Sequence, residues 1–180
     1  LAWFQSKQAP TSVTAASLPV TVDADAKLCV DINLNNKPWL GMVINGKTFD
    51  GGKHTISNLN MSQYLLNQQA TIYTPEACIG LFAAVYGNAA IKDITLDRVT
   101  IEPSAEKSPK WVGSLVGYSK GTGTTYTNCI AKNVKILTKG TNSFRVGGLI
   151  GYIEKNKGTS DATATLTGCK VETANIAASF

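Results

Sequence analysis

The sequence predicts an all-β protein, a coil of short corner-linked strands wound around its own core, filling residues 1–180 as one domain. Three observations predict it. Apolar residues fall two apart in short runs, the pattern of strands with one buried face. These runs recur along the chain at regular intervals. Gly, Thr and Asn are abundant while only 16% of residues are charged, a recipe that suits turns and strands rather than helices.

The longest repeated element carries apolar residues at relative positions 1, 4, 6, 9 and 11. The copies are Ile91, Ile94, Leu96, Val99 and Ile101; then Tyr126, Cys129, Ala131, Val134 and Ile136; then Leu166, Cys169, Val171, Ala174 and Ile176. Position 3 holds a turn-former in each copy, namely Asp93, Asn128 and Gly168. A fourth copy is expected upstream at Ile56, Leu59 and Met61, with Asn58 in the turn slot one residue early. A second, shorter element precedes each of the three clear copies and places Leu81, Leu115 and Leu149 at a 34-residue spacing. The repeats divide the chain into an N-terminal cap over residues 1–27 and units at about 28–76, 77–110, 111–144 and 145–180. Trp3 and Phe4 are expected to shield the open end at the cap, because a stack of repeats needs covered ends.

The three-residue steps between apolar pairs insert one extra residue, which in a flat strand would turn the next side chain to the solvent face. A corner at that residue keeps the apolar side inward. Equivalent residues would then stack in ladders about 4.8 Å apart. The ordinary alternative is a β-sandwich of short strands, which gives no reason for internal repetition.

Net charge is +5, unevenly placed. Nine Lys and Arg against Glu154 alone occupy residues 107–157. Such a segment suits an acidic glycan or lipid headgroups, and it also suits plain solvation of edge strands. Nucleic acid is not expected as a partner, since only Arg98 and Arg145 offer guanidinium groups and no aromatic residues interleave with the lysines. No apolar stretch approaches the length of a membrane span, so a membrane is expected only through an anchor outside this chain. The chain opens at Leu1 without a basic-then-apolar leader, so an export signal is expected to have been removed or never included.

Gly148, Leu149, Ile150 and Gly151 resemble the Gly-Leu-hydrophobic-Gly motif of the GLUG repeat, found in tandem in bacterial surface and secreted proteins. Ser114 to Gly117 departs at the first position and Gly80 to Ala83 at the last. The stretch Asp31 to Trp39, followed by Phe49 to Leu59, is similar to the segment that introduces such repeats, with Asn33 in place of a second Asp and Gly52-Lys53 in place of Asn-Gly. The resemblance covers roughly residues 28–176. It implies a right-handed parallel β-helix (solenoid) and export to a bacterial surface. It implies little about activity, because a repeat scaffold does not carry function by itself.

Few residues suggest chemistry. His54 is the only His, in a Gly-rich turn, and lacks a nucleophile in any recognisable motif; it is expected to bond the loop. Asp93 and Asp97 are the candidate carboxylate pair for glycoside chemistry, yet the next copy carries Asn128 and Lys132 there. A ladder of Asp and Asn at one corner is expected from side chains bonding their own backbone. Asp23, Asp25 and Asp31 cluster upstream. No metal site is expected, since Cys29, Cys78, Cys129 and Cys169 match no zinc spacing and the calcium-roll repeat is absent. Cys129 and Cys169 share a slot that Leu59 and Ile94 fill in other copies, so buried free thiols are favoured over a disulfide.

Tyr118 and Tyr152 are equivalent and are expected to form an exposed ladder on which sugars stack, with Trp111 beside it. Structural placement at a strand end is an equal alternative for these rings. Lys132 and Lys135 are the basic candidates for contact. The expected function is a non-catalytic, exported module of adhesin-like type, at a bacterial surface or secreted, binding a glycan or a host or partner protein without a cofactor. The alternatives are a carbohydrate-active β-helix enzyme, lyase or hydrolase, and a structural stalk within a larger surface protein.

Overall fold

Alternating Val, Ile and Thr with Gly or Asn between them builds strands throughout the computed structural model, which describes residues 19–62, 78–103, 110–139, 145–155 and 164–179. Trp3 and Phe4 lie outside these residues, as does most of the expected cap. Every strand pairing among the described residues is parallel.

The strands sort into three sheets. One has five strands in the order β1 (Val20–Val22), β4 (Met42–Asn45), β8 (Phe82–Tyr86), β11 (Val116–Lys120) and β14 (Ile150–Glu154). A second has three, β7 (Cys78–Ile79), β10 (Trp111–Gly113) and β13 (Arg145–Gly147), with β10 in the middle. The third has eight and runs β2 (Ala26–Lys27), β5 (Thr48–Asp50), β9 (Ala90–Ile101), β12 (Thr124–Lys139) and β15 (Ala164–Thr167). To it belong also β3 (Ile32–Asn33), β6 (Thr55–Asn60) and β16 (Lys170–Ser179): β3 pairs β6, β6 pairs β9, and β16 pairs β12.

This corrects the expected single right-handed β-helix solenoid of short corner-linked strands. Three separate sheets form instead, and their strands are long: β9 has 12 residues and β12 has 16. The reason lies at the positions expected to be corners. Asp93, Arg98, Asn128 and Asn133 take positive φ of 51–56°, yet the residues on both sides stay paired to the neighbouring strand. The chain therefore bends within a strand rather than ending it, much as a bulge does.

The pairing register matches the spacing of the apolar positions. Tyr126, Cys129, Ala131, Val134 and Ile136 pair with Ile91, Ile94, Leu96, Val99 and Ile101 respectively. The upstream copy is misplaced by the sequence reading: Ile56 pairs with Leu96 and Leu59 with Val99, whereas Phe49 pairs with Ile91. Between these pairs the turn at residues 51–54 opposes only Asp93 and Ile94. It is closed by His54 N–H on the Gly51 carbonyl at 2.8 Å and Gly52 N–H on Asp50 Oδ1 at 2.8 Å. The extra residues loop out and shift the copy along the chain. Leu59 therefore stacks on Val99, not in the Cys129 slot.

One core joins the sheets. Phe49 of β5 meets Phe82 of β8 edge-on with ring centroids 5.1 Å apart. Leu81, Leu115 and Leu149 all bury in this core, each worth about 2 kcal/mol of burial. The glycines that follow Leu115 and Leu149 are required by close approach. A Cβ on Gly117 would fall 2.8 Å from both Cys78 Cβ and the Ile79 nitrogen, and one on Gly151 would fall 2.6 Å from the Val112 nitrogen. The Gly-Leu element is thus a place where the three-stranded and five-stranded sheets are pinched together over a buried Leu.

Candidate binding surface

Pinching these two sheets brings aromatic residues from both onto one cluster. Trp111 opens β10, Tyr118 lies on β11 and Tyr152 on β14, where Tyr118 and Tyr152 pair across the ladder. The Trp111 ring stacks on Tyr118 with centroids 4.7 Å apart and on Tyr152 at 5.5 Å, interplanar angles being 20° and 19°. Tyr86 of β8 meets Tyr118 edge-on at 6.0 Å. Arg145, which pairs with Trp111 in the three-stranded sheet, places its guanidinium carbon 4.1 Å from the Tyr152 ring centroid. Parallel pairing in register forces this: equivalent residues one strand apart must stack.

Burial divides the cluster. Trp111 is 4% exposed and Tyr118 only 1%, so the open Tyr118/Tyr152 ladder expected for sugar stacking does not exist as drawn. Tyr118 is covered by Trp111 and Ala84, and its hydroxyl donates to Glu154. That burial, followed by the carboxylate of Glu154, raises the phenol well above its ordinary range. Glu154 in turn sits 3.0 Å from Lys120 Nζ. What reaches solvent is half-buried Tyr86 and Tyr152 and exposed Arg145. Arg145 belongs to the basic segment 107–157, and what picks it out there is its slot, one strand on from Trp111.

Lys132 and Lys135 do not join this cluster. They lie on β12 of the eight-stranded sheet, Lys132 Nζ at 3.4 Å from Glu172 and Lys135 Nζ at 2.5 Å from Glu102. The five expected contact residues thus form two groups on different sheets. Both lysines are already ion-paired, as suits solvated strand faces.

The carboxylates are structural partners. Asn128 Nδ2 donates to Asp93 Oδ1 at 2.9 Å, and Asn133 Nδ2 donates to Asp97 Oδ1 at 2.8 Å, where Arg98 adds an ion pair at 2.9 Å. These bonds run from side chain to side chain across strands, not to each residue's own backbone as expected. Asn58 belongs to the second column, opposite Arg98, whose Nε donates to it at 2.8 Å. His54 Nδ1 lies 3.2 Å from Asp31 Oδ1. The Thr55 N–H and then the His54 ring hold the Asp31 carboxyl below its ordinary range. Asp50 is likewise lowered, first by the Gly52 N–H. Cys29, Cys78, Cys129 and Cys169 are all free thiols. Burial, then Cys169 next to it, pushes the Cys129 thiol up.

No protein-family model, curated protein or solved structure matches the chain.

Proposed function

We propose that this chain is a non-catalytic, exported binding module of GLUG-repeat type, and that it engages an acidic glycan through Arg145 and Tyr152. One observation carries the reading: Arg145 lies over a Tyr152 ring that is itself backed by Trp111. A guanidinium held against a ring loses little freedom on binding, and its planar fork matches a carboxylate or sulfate. In this reading the exposed part of half-buried Tyr152 meets the sugar ring. Ion-paired Lys132 and Lys135 stand outside the contact in this reading.

The test is an array of neutral, uronate-containing and sulfated glycans, probed with the wild-type chain, Arg145→Ala, Tyr152→Ala and Lys132→Ala. Acidic glycans bind, Arg145→Ala weakens them by about tenfold or more, the loss of one charge-assisted contact, and Lys132→Ala has no effect. Equal binding of neutral and acidic glycans, or no glycan binding by a folded chain, overturns the proposal; the latter result favours a stalk.

A further inference from the structure

The two ends of the sheets are unlike, and one of them is apolar. Leu166, Val171 and Ile176 on β15 and β16 are 47%, 38% and 43% exposed, and with Val30 they are the exposed large hydrophobic residues among those described. They occupy the slots that Tyr126, Ala131 and Ile136 fill one strand earlier, where all three are fully buried. Gly148 adds to the patch, since a Cβ there would touch Val171 at 3.2 Å and Ile176 at 3.4 Å. Among the described residues β16 pairs only with β12, so one edge of this ten-residue strand has no strand neighbour. A long edge strand with an apolar inner face is a template for another strand.

The registers identify what fits. At the opposite end β1, β2 and β3 also have one strand neighbour each among the described residues. Each ladder can be followed from that edge to the other. Val20 leads through Met42, Phe82 and Val116 to Ile150. Ala26 leads through Phe49, Ile91 and Tyr126 to Leu166. Ile32 leads through Ile56, Leu96 and Ala131 to Val171. A second chain laid with its β1–β3 edge on the β14–β16 edge, parallel like every other pair, therefore meets apolar residues with apolar residues. One column of charges agrees as well, although Lys170 Nζ also sits 2.6 Å from Glu172 and His54 Nδ1 lies 3.2 Å from Asp31 Oδ1. Asp31, beside Ile32, stands in the column that ends in Lys170, since Thr55 donates to Asp31 and pairs with Thr95, which pairs with Ile130 and then Lys170. Asn33 falls opposite Glu172 two columns on, past the Ile32 column. Asp23, one residue beyond β1, falls near Glu154, whose charge is already met by Lys120 at 3.0 Å.

The geometry points to head-to-tail self-association, the N-terminal edge of one copy seated on the β14–β16 edge of the next. Such a contact is heterologous and does not use itself up, so it builds oligomers larger than dimers unless a rotation closes a ring.

Sedimentation velocity over a concentration series tests this. The wild-type chain gives concentration-dependent species beyond dimer. Ile176→Lys, at an exposed position, keeps its circular dichroism and raises the apparent dissociation constant by about tenfold or more. Lys170→Glu weakens association, and Asp31→Lys in the same chain restores it. Two results overturn the proposal: a monomer at every concentration, or association that Ile176→Lys abolishes while Asp31→Asn, Asp31→Lys and Lys170→Glu leave it unchanged. The second result means that two β16 edges meet each other.

Discussion

Asn128 Nδ2 donates to Asp93 Oδ1 at 2.9 Å, and both residues hold left-handed backbone, with φ of 52° and 51°. Gly168 continues the column at φ 65°. Left-handed backbone costs an ordinary L-residue about 1–2 kcal/mol, and Asn, Asp and Gly tolerate it best. Asn128 contributes twice, through that tolerance and through the bond to the next strand. Asn128→Ala loses both and destabilises by about 2 kcal/mol, whereas Asn128→Gly loses only the bond and costs about 1 kcal/mol or less. Urea midpoints of the two variants check the order; equal losses would mean that the backbone conformation contributes nothing.

Gly117 sits where the three-stranded and five-stranded sheets approach most closely. The first atoms that an added methyl meets include the Ile79 backbone nitrogen and the Ala83 carbonyl oxygen at 2.9 Å, neither of which can swing away. Gly117→Ala therefore costs at least about 1–3 kcal/mol of overpacking. Gly123 is the comparison within the same region. A Cβ there meets only Asn88 Cβ at 3.8 Å, but its φ is +78°. Gly123→Ala loses about 1 kcal/mol through backbone strain alone. Thermal melts of the pair separate packing from conformation.

These positions also show what the sequence made legible. The paired columns from Tyr126/Ile91 to Ile136/Ile101 follow from the five-position spacing, because in-register parallel strands must stack equal positions. The upstream copy did not, since looping at Gly51 to His54 moves Ile56 onto Leu96. Spacing cannot distinguish a loop that bulges outward from one that advances the strand. Strand length was misjudged for a related reason: a left-handed Asn reads as a break, although its neighbours keep their hydrogen bonds. At the candidate surface, equivalence placed Tyr118 and Tyr152 together correctly but could not tell which would be covered. That depended on Trp111 folding back from the adjacent sheet, a contact between elements with no local signature.

Alkaline stability follows from groups that the core keeps neutral. Tyr126 is fully buried, and its hydroxyl donates to buried Ser119 Oγ at 2.7 Å. Cys129, equally buried, directs its thiol at the Ile91 carbonyl 3.4 Å away. Burial raises the phenol of Tyr126, the phenol of Tyr118 and the thiol of Cys129 above their ordinary values. In the unfolded chain the same groups ionise at about 8.5 for the thiol and about 10 for the phenols. Below these values both states hold the protons, and the stabilising contribution is fully present. As pH rises through them, the unfolded chain releases protons that the folded chain retains, so stability falls, by up to about 1.4 kcal/mol per pH unit for each group. The urea midpoint of the wild-type chain is therefore level near pH 7–8 and declines above about pH 9. Tyr126→Phe removes one of the responsible groups. At pH 7 it costs about 1 kcal/mol, because Ser119 loses its partner. Above pH 10 that deficit shrinks, since the variant no longer has this phenol to ionise on unfolding. A constant deficit from pH 7 to 11, or a wild-type midpoint that does not fall, would show that these buried groups do not govern the alkaline limb.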